Sequence, residues 1–84
     1  MHAFLAEQYL PNVSGDRVDE LARRLLRQGT PDVRLLGLVG LPGDETLLAL
    51  FAATSPAAVA DAVARVDAAP DRIVPAFWHP AAGC

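Results

Sequence analysis

The feature that most constrains this chain is a run of seven apolar residues at positions 47–53, LLALFAA. The run has the length of a β-strand, yet neither set of alternate positions carries a polar residue, so neither face of the strand suits water. A strand of this kind needs cover on both sides of its sheet. The chain has two stretches typical of helices, which can cover one face. We therefore expect a partner subunit on the other face.

The size of the chain leads to the same expectation. It has 84 residues, of which 52% are hydrophobic and 6% aromatic, so its apolar content is mostly aliphatic. We predict a single domain over 1–84, with a core at about 3–78 and a tail at 79–84. At this size one hydrophobic core is only marginally adequate, and dimerisation commonly supplies further burial.

Charge and cysteine content exclude several classes of protein. The net charge is −3 and all seven basic residues are arginine, which does not build the basic stripe that nucleic acid requires. No apolar run approaches the roughly 20 residues that span a bilayer, and the chain starts on an alternating strand instead of a signal peptide. Cys84 is the single cysteine, so no intrachain disulfide forms. We expect a cytoplasmic protein with no membrane or nucleic-acid partner.

The pattern along the chain predicts six elements in the order strand, helix, strand, strand, helix, strand. Strands are predicted at 3–10, 33–39, 47–53 and 73–78, and helices between the signals at 14–16 and 28–31 and between those at 55–56 and 68–71. This is the split βαβ order of ferredoxin-like domains. Pro75 cannot donate a ladder hydrogen bond, which places the last strand at a sheet edge.

The predicted fold class is therefore α+β: a ferredoxin-like βαββαβ domain with a four-stranded antiparallel sheet and two helices on one face. Alternation predicts that the other face carries six side chains from the first two strands: Leu5, Glu7, Tyr9, Arg34, Leu36 and Leu38. At roughly 25 cal/mol per Å² of apolar area, leaving such a face in water would forfeit much of the stability of a small domain. We expect a homodimer that packs these faces together as a dimeric α+β barrel.

A cavity between two such sheets is a natural place for a small hydrophobic or planar ligand, and ligand binding is the function we expect. The candidate ligand-binding residues are Glu7, Tyr9, Arg34, Leu36, Leu38 and Trp78. Tyr9 and Arg34 suit a planar or anionic ligand; the structural alternative is a tyrosine with its rim in water and an arginine that closes an ion pair across the dimer. Trp78 would supply a stacking wall, or else simply cover the sheet edge. An assembly adaptor, whose whole role is dimerisation, is a further alternative.

Glu7 supports an alternative function. A carboxyl group among apolar neighbours on a dry face is placed for proton transfer, so Glu7 is the candidate catalytic residue. The protein would then be a cofactor-free enzyme of the cyclase, isomerase or monooxygenase type. The structural alternative is a carboxylate paired with Arg34 or Gln8.

Three short segments resemble a known family: residues 4–7 (FLAE), 53–56 (ATSP) and 70–73 (PDRI). They are similar to segments of small dimeric ferredoxin-like proteins classed as nickel-binding-protein-like, a family of largely unknown function. The resemblance runs from about residue 4 to residue 77. It implies the ferredoxin-like fold, a dimer and nickel binding.

Metal donors are few in this chain. Members of that family often carry His or Cys on the second and third strands, where this chain has residues such as Leu38 and Ala49. The available donors are His2, Glu7, His79 and Cys84, and none is paired at a spacing diagnostic of a metal site. From the residues alone we expect no metal and no cofactor.

Overall fold

A computed structural model describes residues 1–66 and 70–80 of the protein. The strands and helices are β1 His2–Tyr9, α1 Gly15–Arg27, β2 Val33–Leu41, β3 Thr46–Ala53, α2 Pro56–Ala64 and β4 Arg72–Ala76. This confirms the predicted order, and the fold is ferredoxin-like α+β. The predicted signal at 68–71 and the predicted tail at 79–84 lie partly outside the described residues, and Cys84 lies wholly outside them. Among the described helices, none has the length and apolar character needed to cross a membrane.

The four strands form one antiparallel sheet in the order β2-β3-β1-β4. The apolar β3 and β1 therefore lie in the centre, and β4 lies at an edge, as Pro75 predicts. A short 3-10 helix, Pro42–Asp44, joins β2 to β3.

Both helices begin at a serine cap. The Ser14 Oγ accepts a hydrogen bond from the Arg17 backbone N–H at 3.3 Å, and the Ser55 Oγ accepts one from the Ala58 N–H at 3.2 Å. Pro56 occupies the first position of α2, where a missing N–H costs nothing. These local signals explain why the helix starts were readable from the sequence.

The core lies between the helices and one face of the sheet. Burial alternates along β3, with every second residue buried toward the helices and the others half-buried. Residues from β1, β2, β3, both helices and the turn after α2 form one cluster: Phe4, Ala6, Leu25, Val33, Ala49, Phe51, Ala53, Val59, Ala62, Val63 and Val66. The two helices thus cover one side of the apolar run, as expected, and leave its other side without cover within the subunit.

A β-bulge in β2 shows that the predicted position of Leu38 on the uncovered face was wrong. Leu35 pairs with Phe51 and Gly37 pairs with Leu50, so Leu36 is an extra residue in the ladder. One extra residue reverses the faces of all later side chains in a strand. Leu38 is therefore opposite buried Ala49 and packs against the core, not on the uncovered face.

Candidate ligand-binding face

The open face is the side of the sheet away from the helices, and its side chains form rows across the strands. One row contains Gly37, Leu50, Leu5 and Val74, and the next contains Val39, Leu48, Glu7 and Arg72. We call the apolar members of these two rows the leucine half: Leu5, Val39, Leu48, Leu50 and Val74. Four of them are half-buried, and Val39 is 52% exposed although it is apolar.

On the other side of Leu5 and Leu50 lies a row of small residues. Ala3 pairs with Ala52 on one neighbouring strand and with Ala76 on the other, and we call these three residues the alanine row. Arg34 pairs with Ala52 and so ends this row at the β2 edge. A methyl group projects far less than a leucine side chain, so the open face is lower along this row.

A cavity of about 600 Å³ opens at the alanine row. Its lining comes from the start of β1, the end of β3 and the end of β4 with the residues after it: Met1, His2, Ala3, Phe4, Ala52, Pro75, Ala76, Phe77 and Trp78. Trp78 is the second residue after β4 and is 47% exposed. The structure thus places the predicted stacking residue, Trp78, on the wall of this open cavity.

Glu7 has a partner that the sequence analysis did not name. The Glu7 Oε2 accepts a hydrogen bond from the Arg72 Nε, and the two side chains form an ion pair. Arg72 lies directly opposite Glu7 in the β1–β4 register. The predicted pairing of Glu7 with Arg34 or Gln8 was wrong because the register of this strand pair could not be read from the sequence.

Asp71 forms two hydrogen bonds with the C-terminal end of β1, the end at which Glu7 lies. Its backbone N–H donates to the Glu7 carbonyl oxygen at 2.7 Å, and its Oδ2 accepts from the Tyr9 N–H at 2.7 Å. These bonds fix the start of β4 beside the end of β1. Tyr9 itself is 60% exposed on the open face.

The predicted ligand-binding residues therefore separate into two places. Glu7 lies four residues from Ala3 along β1, which is about 13 Å in a strand. Trp78 lines the cavity and Arg34 flanks its floor, whereas Glu7 and Tyr9 lie at the far end of the sheet, against Asp71 and Arg72. Leu36 is the half-buried bulge residue at the β2 edge.

The cavity is mostly apolar, and Arg34 lies beside it. Its lining among the described residues includes no Asp or Glu, and its ionisable groups are the His2 imidazole and the Met1 amino group. Within 1–66 and 70–80, no group of three or more His, Cys, Asp or Glu residues is arranged to hold a metal ion. The site as described is suited to binding through shape, aromatic contact and the charge of Arg34.

Sequence reasoning missed the alanine row. Strand alternation already places Ala3 on the same face as Leu5. It likewise places Ala76 on the same face as Trp78 in the predicted last strand. What the sequence lacks is the register that brings Ala3, Ala52 and Ala76 side by side. An alanine on a strand also gives no sign of a binding site unless its neighbours across the sheet are known.

Comparison with known proteins bears on the fold. No protein-family model matches the chain, and no curated protein matches its sequence. The crystal structure of SCO4226 from Streptomyces coelicolor A3(2) is similar, with a TM-score of 0.83 and 16% sequence identity over 93% of this chain and 99% of that one. At this identity the likeness shows the fold alone.

Proposed function

We propose that the protein is a homodimer that packs its open faces together and holds a small organic molecule in the cavity at their interface. The observation that carries this proposal is the leucine half, a continuous group of apolar side chains on all four strands that no helix covers. In a monomer this group faces water.

The area of the open face supports a protein partner. Strands of up to nine residues, four abreast and about 4.8 Å apart, give a whole face on the order of 400 Å² in projection, and the leucine half is its apolar part. Contiguous apolar patches rimmed by polar residues mark interaction surfaces on soluble domains. Two packed sheets lie about 10 Å apart, and their side chains interdigitate. The leucine halves of two subunits would pack against each other in this way.

The charges of the face are also compatible with a second copy. Glu7 and Arg72 neutralise each other within one subunit, and the other charge of the face, Arg34, lies at the β2 edge of the sheet. An isologous dimer places the same patch on both subunits, and a mostly apolar patch is complementary to itself.

The ligand would occupy the cavity. At a sheet separation of about 10 Å, leucine and valine side chains fill the interval, whereas methyl groups do not. Space therefore remains over the alanine row when the faces meet. The volume of about 600 Å³ lies in the range typical of small-molecule sites.

Two other expectations stay predictions. Proton transfer by Glu7 would require a free carboxylate at the cavity, and the contacts of Glu7 are with Arg72 at the other end of the face. Nickel binding is implied by the family resemblance, and the described contacts offer no donor cluster for it. Neither function gains support from the arrangement of side chains.

The dimer is tested by sedimentation at micromolar concentration. We expect a mass of twice 8.9 kDa for the wild-type chain. Leu50→Asp would place a charge in the centre of the interface and weaken the dimer about 100-fold or more. Leu26→Asp is the matched control, because Leu26 is 63% exposed on α1, on the other side of the sheet. A wild-type chain that sediments as a monomer across this range would overturn the proposal.

A further inference from the structure

We propose that the ligand of the cavity is a flat aromatic carboxylate, which lies along the alanine row with its ring toward Trp78 and its carboxylate at Arg34. This inference rests on the proposed function and adds the chemical class of the ligand to it. Three features of the site support it: the floor, the aromatic wall and the cation.

The floor of the cavity fits a flat molecule. Ala52, Ala3 and Ala76 lie on three adjacent strands, so the floor extends roughly 10 Å across the sheet. Each contributes a methyl group of the same height. A fused two-ring system is similar in length and offers a flat face to them, whereas a branched aliphatic molecule would contact only part of the floor.

The wall of the cavity is aromatic and partly bare. Trp78 is 47% exposed, and neighbouring Phe77 is fully exposed to solvent. Large aromatic side chains favour offset-stacked or edge-to-face contacts with another ring. Two aromatic residues beside one cavity, both accessible to solvent, therefore favour an aromatic ligand over an aliphatic one.

The charge beside the cavity favours an anion. Arg34 lies directly opposite Ala52 on the open face, and its side chain is exposed. In the described part of the chain, no carboxylate forms an ion pair with Arg34 and none lines the cavity. A guanidinium group binds a carboxylate through two parallel hydrogen bonds, which also fixes the orientation of a planar ligand.

Two ligands of the same shape test the charge. 2-Naphthoate and 2-naphthamide differ mainly in the carboxylate, and the chain has one tryptophan, so changes in its fluorescence report on Trp78. We expect the wild-type dimer to bind 2-naphthoate about fivefold more tightly than 2-naphthamide, as measured by fluorescence titration and calorimetry. Arg34→Gln should remove this preference. Arg23→Gln, on the exposed side of α1, should keep it.

A second pair of variants tests the location. Ala52→Leu fills the floor and should weaken binding of both ligands roughly tenfold or more. Ala60→Leu adds the same group at an exposed position of α2 and should leave binding unchanged. Ala3→Leu provides an independent filling variant if Ala52→Leu fails to fold, as judged by thermal melting.

The outcomes separate the two proposals. A dimer that binds neither ligand at millimolar concentration, or that binds both equally, overturns the carboxylate inference while the dimer stands. Retained preference in Arg34→Gln, or unchanged binding in a folded filling variant, overturns it as well. A monomeric wild-type chain in the same samples overturns the proposed function itself.

Discussion

The leucine half and the alanine row lie side by side on one sheet, yet they differ in what they can do when a second sheet approaches. Leu5 and Leu50 project far enough to meet their counterparts across about 10 Å, whereas Ala3 and Ala52 do not. The first region supplies contact and the second supplies space. A single apolar face can thus contain both an interface and a binding site, and side-chain size alone divides them.

The strongest test of this division introduces a carboxylate into each region. Leu48→Asp should weaken the dimer about 100-fold or more, because the charge would be buried without a partner. Ala76→Asp, in the floor of the cavity, should weaken the dimer far less, while it repels an anionic ligand. Sedimentation measures the affinity of the dimer in both variants, and ligand titration measures the affinity for the ligand. Equal loss of the dimer in both variants would contradict the division.

A pair of glycines tests which face each part of β2 presents. A Cβ at Gly40 would lie 2.8 Å from the Val18 Cγ2 on the helix-covered side, whereas a Cβ at Gly37 meets nothing within 4 Å. Gly40→Ala should therefore lower the free energy of unfolding by about 1 to 3 kcal/mol. Gly37→Ala should have little effect on the monomer fold. Thermal or urea unfolding measures the stability of both variants. Equal losses of stability would show that we have assigned the residues after the bulge to the wrong faces.

Removing the side chain of Trp78 tests whether the aromatic wall serves ligand binding and not the dimer. Trp78→Ala should weaken binding of 2-naphthoate about tenfold, because stacking and apolar contact are lost together. The dimer should keep its affinity, since Trp78 lies outside the leucine half. Calorimetry measures the first effect and sedimentation the second. Loss of the dimer in this variant would assign Trp78 to the interface instead.

The smallest expected effect concerns Glu7. Its ion pair with Arg72 involves an arginine side chain that is 66% exposed, so Glu7→Gln should cost less than about 1 kcal/mol of stability. Ligand affinity should stay at its wild-type value, because Glu7 lies at the far end of the face from the cavity. Urea unfolding and ligand titration check both statements. A large drop in affinity would place Glu7 in the site after all.

The fold was predictable from the sequence because its signals are local. Ser14 and Ser55 mark helix starts, Pro75 marks an edge strand, and the apolar run at 47–53 marks the central strand. The order of the elements then leaves few topologies to consider. The helix starts, the edge strand and the sheet content follow from these residues without knowledge of distant contacts.

The site was predictable only in part because it depends on register. Arg34 and Trp78 were named from alternation and from position; Trp78 lines the cavity, and Arg34 lies beside its floor, opposite Ala52. Leu38 was misplaced because a bulge cannot be seen in the spacing of apolar residues, and the Arg72 partner of Glu7 is known only from strand pairing. Cross-strand neighbours are set by long-range packing, which local patterns do not contain.

The central claim is that the leucine half meets its counterpart in a second subunit. Isotope-filtered NOE spectra of a dimer mixed from labelled and unlabelled chains test it most directly. The account predicts intersubunit NOEs between methyl groups of Leu5, Leu48 and Leu50. Intersubunit NOEs confined to another surface, such as Leu26 of α1, or none from these methyl groups, would contradict it.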